Sequence, residues 1–282
     1  MMNFINSIIV GDSLSKLKEL PDGFIDCAIT SPPYFGLRSY SVEGEIGNEE
    51  TPDEYVSKMT ELFREVKRVL KPEGTFWLNI GDTYNGSKKG NTEVNKHKKI
   101  QESVAFEKKL WKGAKRKDLI GVPWMMAFAL RNDGWYLRND IIWHRPNAFP
   151  KTANDRLSPS YEHVFLFSKS LDYYFNTEEA YETTVDGKGK RRMRDVWDIN
   201  VKKGYGSCVA PFPEELIVPM VRIGCPEGGI VLDPFMGSGT TGLVAMKNNR
   251  NYIGIELNEQ YAKEANERIK IWTNQNLTTA QL

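Results

Sequence analysis

Cysteine, histidine and long apolar runs are all scarce in this chain of 282 residues, and each scarcity excludes a class of protein. The three cysteines and three histidines are scattered, without the spacing of a metal site or a disulfide framework. The longest apolar stretch, residues 122–130, is too short to span a bilayer. The N-terminal residues lack the basic segment that begins a secretory signal. We therefore expect a cytoplasmic protein with reduced thiols and no metal.

Net charge is also nearly absent, at +1, but the charges are unevenly distributed. Residues 83–118 contain eleven Lys and Arg against four acids, and residues 183–206 contain seven against three. Basic segments of this kind often contact phosphate backbones, but two solvated surface loops would have the same composition. Charge alone leaves both interpretations open.

Short apolar strands alternate with amphipathic helices along the chain. The strands are predicted at 7–10, 25–30, 75–80, 136–143, 162–168, 229–233 and 252–256. The helices are predicted at 13–20, 52–70, 123–132, 213–223, 240–248 and 258–272, with a turn at 71–74. This alternation predicts an α/β fold with a mostly parallel, twisted sheet and helices on both faces.

A glycine turn, DPFMGSGTT at 233–241, lies between a predicted strand and a predicted helix. Its glycines let the backbone approach a ligand closely, and the helix N-terminus offers free N–H groups. Glu256 ends the next strand, where an acid of a Rossmann-type unit binds ribose hydroxyls. The order of turn, helix and acid favours a nucleoside cofactor over a tight turn with a surface glutamate.

A proline-rich segment, TSPPY at 30–34, follows the predicted strand 25–30. Prolines fix φ and donate no N–H, so the segment is a stiff loop with free carbonyls. Ser31 adds a hydroxyl and Tyr34 an aromatic face at the carboxyl end of a strand, where ligands collect. The loop suits a planar amine, whose protons two oxygens accept while the ring stacks on its base. Alone, such a tetrapeptide is more often a turn, but the glycine turn strengthens its interpretation as a site.

Together, TSPPY and DPFMGSGTT resemble the S-adenosylmethionine-dependent amino DNA methyltransferases, which modify exocyclic amines of cytosine or adenine. Recurrent blocks of that family also resemble GDSL at 11–14, LKPEGTFWLNIGD at 70–82, APFPEEL at 210–216 and YIGIELN at 252–258. The resemblance covers most of the chain and is weakest in the two basic segments. It implies a Rossmann-like methyltransferase fold, S-adenosylmethionine as methyl donor without a metal, and double-stranded DNA as partner.

The resemblance also implies a prokaryotic or phage-encoded protein of a restriction-modification system, whose endonuclease would act separately. The proline-rich loop precedes the glycine turn by some two hundred residues, and residues 7–10 would supply the strand expected beside 252–256. This motif order resembles the circularly permuted β group of the family. The oligomeric state stays open.

By the same resemblance, the catalytic residues are Ser31, Pro32, Pro33 and Tyr34. Ser31 Oγ and the Pro32 carbonyl would accept hydrogen bonds from the target amine and aim its lone pair at the sulfonium methyl, so that catalysis is mostly positioning. Tyr34 would stack on a base flipped out of the duplex. No covalent nucleophile is required, and Cys27 is assigned to core packing.

The resemblance also implies a set of cofactor-binding residues: Asp12, Pro213, Glu214, Asp233, Phe235, Gly237, Gly239, Thr240 and Glu256. The turn residues would shape the methionine side of the pocket, and Glu256 would hold the ribose hydroxyls. Asp12 would lie near the adenine amine, although its position before a helix also fits an N-cap. Pro213 and Glu214 would help to close the methionine end.

Three alternatives accompany this assignment. The nearest is N6-adenine methylation, although Ser31 favours N4-cytosine because adenine enzymes of this family more often carry Asp there. A methyltransferase acting on RNA or protein amines would have a similar loop, but the two basic segments favour nucleic acid. A DNA-binding protein that has lost catalysis is disfavoured by the intact loop and glycine turn.

The expected organisation has five parts. Residues 1–82 form the catalytic part, 83–118 a basic insertion that contacts DNA, 119–180 the remainder of the catalytic sheet, 181–209 a basic target-recognition segment and 210–282 the cofactor-binding part. The candidate DNA contacts are Lys88, Lys89, Lys98, Lys99, Lys115, Arg116, Lys117, Arg145, Arg191, Arg192 and Arg194.

Overall fold

The computed structural model describes residues 4–37, 44–86, 110–149, 154–184, 186–202, 205–206 and 212–279, with side chains to 275. Its strands are β1 Ser7–Val10, β2 Ile25–Thr30, β3 Leu70–Ile80, β4 Tyr136–His144, β5 Tyr161–Ser168, β6 Tyr181–Thr183, β7 Lys190–Arg192, β8 Val196–Asp198, β9 Ile230–Asp233 and β10 Asn251–Glu256. Its helices are α1 Ser13–Lys18, α2 Pro52–Val69, α3 Val122–Asn132, α4 Glu214–Gly224, α5 Thr240–Lys247 and α6 Glu259–Thr279.

Eight of these strands form one sheet in the order β1-β10-β9-β2-β3-β5-β4-β8, and β6 pairs with β7 separately. Within the sheet only β5 is antiparallel to its neighbours, β3 and β4. The mostly parallel sheet is therefore confirmed. The N-terminal strand β1 lies beside β10, with Ser7 opposite Ile253, as the motif order predicts. We call the edge at which the parallel strands end, and β5 begins, the carboxyl edge.

Burial explains the local structure of the central strands and their helices. Every residue of β2 is buried, as expected for a strand with layers on both faces. Helix α2 begins at the N-cap Thr51, whose hydroxyl accepts the Glu54 N–H at 3.1 Å, and Pro52 occupies its first turn. Its buried stripe includes Tyr55 and Phe63, which pack into the core below the sheet.

Two features of the sheet differ from the prediction. Strand β3 already begins at Leu70, which pairs with Ile25, and residues 71–74 fold back within it, since a Cβ at Gly74 would lie 3.0 Å from the Leu70 Cβ. The register shifts between Leu70 and Thr75, so the predicted turn at 71–74 is an irregularity inside β3 and does not precede the strand. Strands β6, β7 and β8 were not predicted, and β8 extends the main sheet through its pairing with β4. The basic segment 181–209 is therefore partly built into the sheet.

The described cysteines are packing residues. Cys27 and Cys225 are both buried with free thiols, and burial raises the pKa of Cys27 to about 12. This agrees with the assignment of Cys27 to core packing. Cys208 lies outside the described residues. None of the described helices combines the length and the apolar character that crossing a membrane requires.

Candidate functional site

A cavity opens at the carboxyl edge, where the loops after β1, β2, β9 and β10 meet. Residues that precede α4 and begin α5 and α6 complete its wall. The lining residues are Asp12, Ser13, Ser31, Pro33, Gly44, Glu45, Ile46, Phe212, Phe235, Met236, Gly237, Ser238, Thr240, Glu256, Leu257, Asn258 and Tyr261. The cavity therefore brings together the proline-rich loop and the glycine turn, which are about two hundred residues apart in sequence.

Asp233 stands behind the cavity wall and organises it. Its side chain is fully buried, and its Oδ1 accepts the Thr30 hydroxyl at 2.6 Å and the Phe235 N–H at 3.0 Å. Its Oδ2 accepts the Thr241 hydroxyl at 2.6 Å. Burial raises the pKa of Asp233 from 3.8 to about 6, although these three donors oppose the shift. Asp233 thus joins the ends of β2 and β9 to α5 without itself lining the cavity.

Glu256 links the glycine turn to the loop that follows β10. Its Oε2 accepts the Gly237 N–H and its Oε1 accepts the Asn258 N–H, both at 2.8 Å. Burial raises its pKa, while these backbone donors favour the charged form. A carboxylate has about four lone-pair sites, so Glu256 can hold the wall together and still accept a hydrogen bond from a ligand hydroxyl.

The two predicted glycines have different geometrical tasks. Gly237 lines the cavity at φ 51°, and Gly239 lies behind it at φ 77°, a left-handed conformation that favours glycine. A Cβ at Gly239 would lie 2.9 Å from the Ala265 Cβ, so glycine also allows α6 to pack closely. Thr240 lines the cavity, and its hydroxyl accepts a hydrogen bond from Arg268 at 2.9 Å.

Asp12 caps helix α1 and also lies in the cavity wall. Its Oδ1 accepts the Ser15 N–H at 2.9 Å and the Ser15 hydroxyl at 2.7 Å, which makes it the N-cap of α1. The same residue lines the cavity. Its neighbour Ser13, which the sequence analysis missed, also lines it and donates to the Pro234 carbonyl at 2.6 Å.

The predicted pair at the start of α4, Pro213 and Glu214, lies outside the cavity lining. Pro213 is the N-cap of α4, and the carboxylate of Glu214 pairs with Lys247 at 2.7 Å and Arg268 at 3.1 Å. Neither residue lines the cavity. The preceding Phe212 lines it instead, so an aromatic face, rather than a carboxylate, closes this side.

The proline-rich loop presents two of its four residues to the cavity. Ser31 and Pro33 line it, whereas Pro32 is buried. The Pro33 carbonyl accepts the Tyr55 hydroxyl from α2 at 2.9 Å, so a core tyrosine supports the loop from below. Tyr34 is half-buried outside the cavity lining.

The Tyr34 hydroxyl enters a polar network that sequence did not reveal. It donates to Glu162 Oε2 at 2.6 Å, and the side-chain amide oxygen of Asn79 lies 3.1 Å away. Burial and the negative charge of Glu162 raise the pKa of Tyr34 well above its usual range. The network includes Arg145, whose guanidinium pairs with Glu162 and is only 20% exposed. Arg145 therefore lies beside the proline-rich loop with its charge already paired.

Several predicted basic residues lie on an exposed loop that Asn85 supports. Lys115 and Arg116 are exposed, as is Lys117, which pairs with Asp155 at 2.5 Å. The buried side chain of Asn85 donates to the Trp111 carbonyl at 2.9 Å and accepts its N–H at 3.0 Å. Four predicted DNA-binding lysines lie outside the described residues: Lys88, Lys89, Lys98 and Lys99.

The basic residues of 181–209 are arranged on and beside the small hairpin β6–β7. Arg191 pairs with Glu182 across the hairpin at 2.7 Å. Arg192 is exposed, with its guanidinium 5.9 Å from the centre of the Phe175 ring. Arg194 is exposed beyond the hairpin. The hairpin thus presents cations at the surface, of which Arg191 is already paired.

The cavity walls indicate the charge of a suitable ligand. Three acids, Asp12, Glu45 and Glu256, line the cavity together with apolar side chains, and none of the described lining residues is Lys or Arg. This environment disfavours a diphosphate and favours a ligand with a cationic group, hydroxyls and an apolar face. Within the described ranges, no group of three or more His, Cys, Asp and Glu side chains could hold a metal ion.

Residues that sequence reasoning missed line much of the apolar wall. They include Ile46, Phe212, Leu257, Asn258 and Tyr261. Two of them, Leu257 and Asn258, belong to the YIGIELN block, and their position after Glu256 was an available signal. Ile46 has no such signal, because only the folded chain brings the segment after the proline-rich loop to the cavity.

Comparison with known proteins identifies the family. The family described as "DNA methylase" (N6_N4_Mtase) matches residues 25–267. The Type II methyltransferase M.SmaI of Serratia marcescens is 47% identical over 264 residues, 93% of this chain and 90% of the relative. The Type II methyltransferase M.XycI of Xanthomonas campestris pv. cyanopsidis is 44% identical over 265 residues, 94% and 88% respectively.

Solved structures have the same architecture. The DNA modification methylase TTHA0409 of Thermus thermophilus, complexed with S-adenosyl-L-methionine, gives a TM-score of 0.67 at 26% identity, covering 94% of this chain and 93% of its own. The cytosine-N4-specific PvuII DNA methyltransferase gives 0.69 at 22% identity, covering 96% and 92%, and shows the shared methyltransferase fold. With the family match over 25–267 and a relative of nearly half-identical sequence, this chain belongs to the N6/N4 DNA methylase family.

Proposed function

We propose that this DNA methylase transfers a methyl group from S-adenosylmethionine to the exocyclic N4 amine of a cytosine in double-stranded DNA. One observation carries the proposal: Ser31 and Pro33 line the same cavity as Phe235, Gly237 and Glu256. A methyl donor held by the glycine turn would therefore lie against the loop that receives the amine. The motif order and the pairing of β1 with β10 support assignment to the permuted β group.

The residues of the cavity fit S-adenosylmethionine, which supplies an electrophilic methyl group on a cationic sulfur when it is bound. Glu256 offers free lone pairs to the ribose hydroxyls, and Phe235 and Ile46 offer apolar surface to the adenine. Asp12 can accept from the adenine amine. The acidic wall without basic residues suits the cationic donor and does not suit a dinucleotide.

The proline-rich loop would orient the amine for an in-line displacement. Ser31 Oγ and the Pro32 carbonyl would each accept one hydrogen bond from the amine, which directs the nitrogen lone pair towards the methyl group. Positioning of this kind contributes most when the reacting atoms are held about 3–3.5 Å apart. The target base would be flipped from the duplex to reach the cavity, with the Tyr34 ring stacked on it.

Modified nucleosides in plasmid DNA from cells that express the protein test the reaction. We expect N4-methylcytosine in plasmid from cells that lack other DNA methyltransferases, and none when Ser31→Ala replaces the wild type. N6-methyladenine would contradict the choice of cytosine and support the adenine alternative. Plasmid without either modification, from cells containing folded protein, would contradict the proposed function. The relatives named Type II methyltransferases support a role in restriction-modification.

Removing the charges of Lys115, Arg116 and Lys117 together should weaken DNA binding nearly equally for all sequences. Each phosphate that is no longer neutralised should reduce the slope of log K against log salt by about one unit. Equilibrium binding at several salt concentrations measures the slope. A control with Lys18 and Lys270 neutralised, two exposed lysines outside the proposed DNA segments, should retain it. An unchanged slope in the triple variant would show that this loop is solvated and does not contact DNA phosphates.

A further inference from the structure

A chain of hydrogen bonds leads from the proposed catalytic serine into the protein, away from the cavity. Ser31 Oγ donates to the Tyr34 hydroxyl oxygen at 3.2 Å, and the Tyr34 hydroxyl donates to Glu162 Oε2 at 2.6 Å. The other carboxylate oxygen of Glu162 pairs with Arg145. Asn79 Nδ2 donates to Glu162 Oε2 at 3.3 Å, so the carboxylate receives donors on both oxygens.

The direction of this chain is decided at its buried end. A carboxylate accepts hydrogen bonds and cannot donate, and the carboxylate of Glu162 is paired with the guanidinium of Arg145. The single Tyr34 proton therefore points to Glu162. Because that proton is committed, the Tyr34 oxygen can accept the proton of Ser31. The raised pKa of Tyr34 keeps the phenol protonated, as this arrangement requires.

The direction of these hydrogen bonds decides how the Ser31 hydroxyl can interact with a ligand. A serine hydroxyl has one proton and two acceptor lone pairs, and it can serve either as donor or as acceptor towards a ligand. With its proton directed to Tyr34, Ser31 Oγ presents its lone pairs to the cavity. A target amine that donates hydrogen bonds requires Ser31 Oγ to act as an acceptor.

Local packing holds the tyrosine in this position. A Cβ added at Gly81, directly after β3, would lie 2.7 Å from the Tyr34 ring. Glycine at 81 therefore leaves the space that the ring occupies. Gly81 thus leaves room for the Tyr34 ring, and Glu162 orients the Tyr34 hydroxyl.

We propose that Glu162, held by Arg145, is a positioning residue that sets Ser31 Oγ as the hydrogen-bond acceptor for the target amine. This inference rests on the proposed function and deepens it. Neither residue touches the amine in this scheme, because both act through Tyr34. The Tyr34 hydroxyl thus has a role that is separate from stacking of its ring.

Two substitutions that preserve size test the chain. Tyr34→Phe retains the ring and removes the link, and Glu162→Gln replaces a pure acceptor with an amide that can also donate. We expect each to lower kcat about tenfold. The KM for DNA and the affinity for S-adenosylmethionine should stay within about twofold, because neither change alters the phosphate contacts or the nucleoside side of the cavity.

A double variant separates this role from general support of the fold. Once Tyr34→Phe has broken the chain, Glu162→Gln should cause little further loss of kcat. Tyr55→Phe is the matched control, since it removes a tyrosine hydroxyl that supports the same loop through the Pro33 carbonyl. That control should lower thermal stability and change kcat by less than about twofold.

Full kcat in Tyr34→Phe would overturn the inference, and so would equal losses in Tyr34→Phe and Tyr55→Phe. The inference would also be overturned if the double variant lost kcat by the product of the two single losses. If Glu162→Gln does not fold, the comparison of kcat in Tyr34→Phe and Tyr55→Phe still tests the inference. Wild-type protein without methylation of DNA would contradict the proposed function instead, so the two failures are distinguishable.

Discussion

Replacing Asp233 by alanine is expected to destabilise the folded protein by about 3–5 kcal/mol and to weaken binding of S-adenosylmethionine. The substitution leaves the buried hydroxyls of Thr30 and Thr241 and the Phe235 N–H without their acceptor. These three donors connect β2, β9 and α5, so the glycine turn loses its connection to the sheet. Chemical denaturation measures the stability, and calorimetry of variant that is still folded measures the affinity.

Asp233→Asn is the matched variant, because an amide oxygen can still accept from Thr30 and Phe235 while its NH2 donates to Thr241. We expect it to retain most of the stability and the affinity. If Asp233→Ala is as stable as Asp233→Asn and binds the donor equally well, the carboxylate does not organise the turn.

Asp233 should also make stability depend on pH. Its pKa is about 6 in the folded protein against 3.8 ordinarily, so the folded state binds the proton more tightly than the unfolded chain. This contribution is fully present below pH 3.8 and is lost as the pH rises to about 6, by up to about 3 kcal/mol. Relative to Asp233→Asn, the wild type should therefore lose stability across this window. Parallel curves for the two proteins would contradict the raised pKa.

Glu256→Ala is expected to weaken S-adenosylmethionine binding about 100-fold. The change removes the proposed acceptor of the ribose hydroxyls together with the acceptor of the Gly237 and Asn258 N–H groups, so both loops of the cavity wall lose their link. Isothermal titration with the donor, in the absence of DNA, measures the loss directly.

Glu267→Ala provides the control for Glu256→Ala, because this glutamate is exposed on α6 and does not line the cavity. It should bind the donor as the wild type does. Wild-type affinity in folded Glu256→Ala would exclude a ribose-binding role for this carboxylate and require the nucleoside to bind elsewhere.

Much of the fold could be predicted because its elements carry local signals. The buried strand β2 and the amphipathic helix α2 have apolar patterns that only one secondary structure can bury. The turn predicted at 71–74 lies inside β3 and not before it, because Leu70 already pairs with Ile25, a contact that leaves no local pattern. Strand β8 was missed because three residues are too few for a periodic pattern, and its partner β4 is distant in sequence.

The candidate site was predictable where its residues lie in short motifs at strand ends. Ser31, Phe235, Gly237 and Glu256 all line one cavity, as neighbouring loops at the carboxyl edge of a parallel sheet must. Asp233 lies in the same motif but is turned into the core. Its position in the motif indicated its importance, whereas burial and its three donors decided how it acts.

The sequence by itself determined the order of strands and helices, the two motifs and the class of chemistry they suit, because each depends on residues close together in the chain. Only the tertiary structure decided that Glu162, 128 residues after Tyr34, accepts its hydroxyl proton. It likewise paired Arg145 with the carboxylate of Glu162. Partners of this kind are selected by strand pairing between β3, β5 and β4, which places distant residues side by side and leaves no local pattern in the sequence.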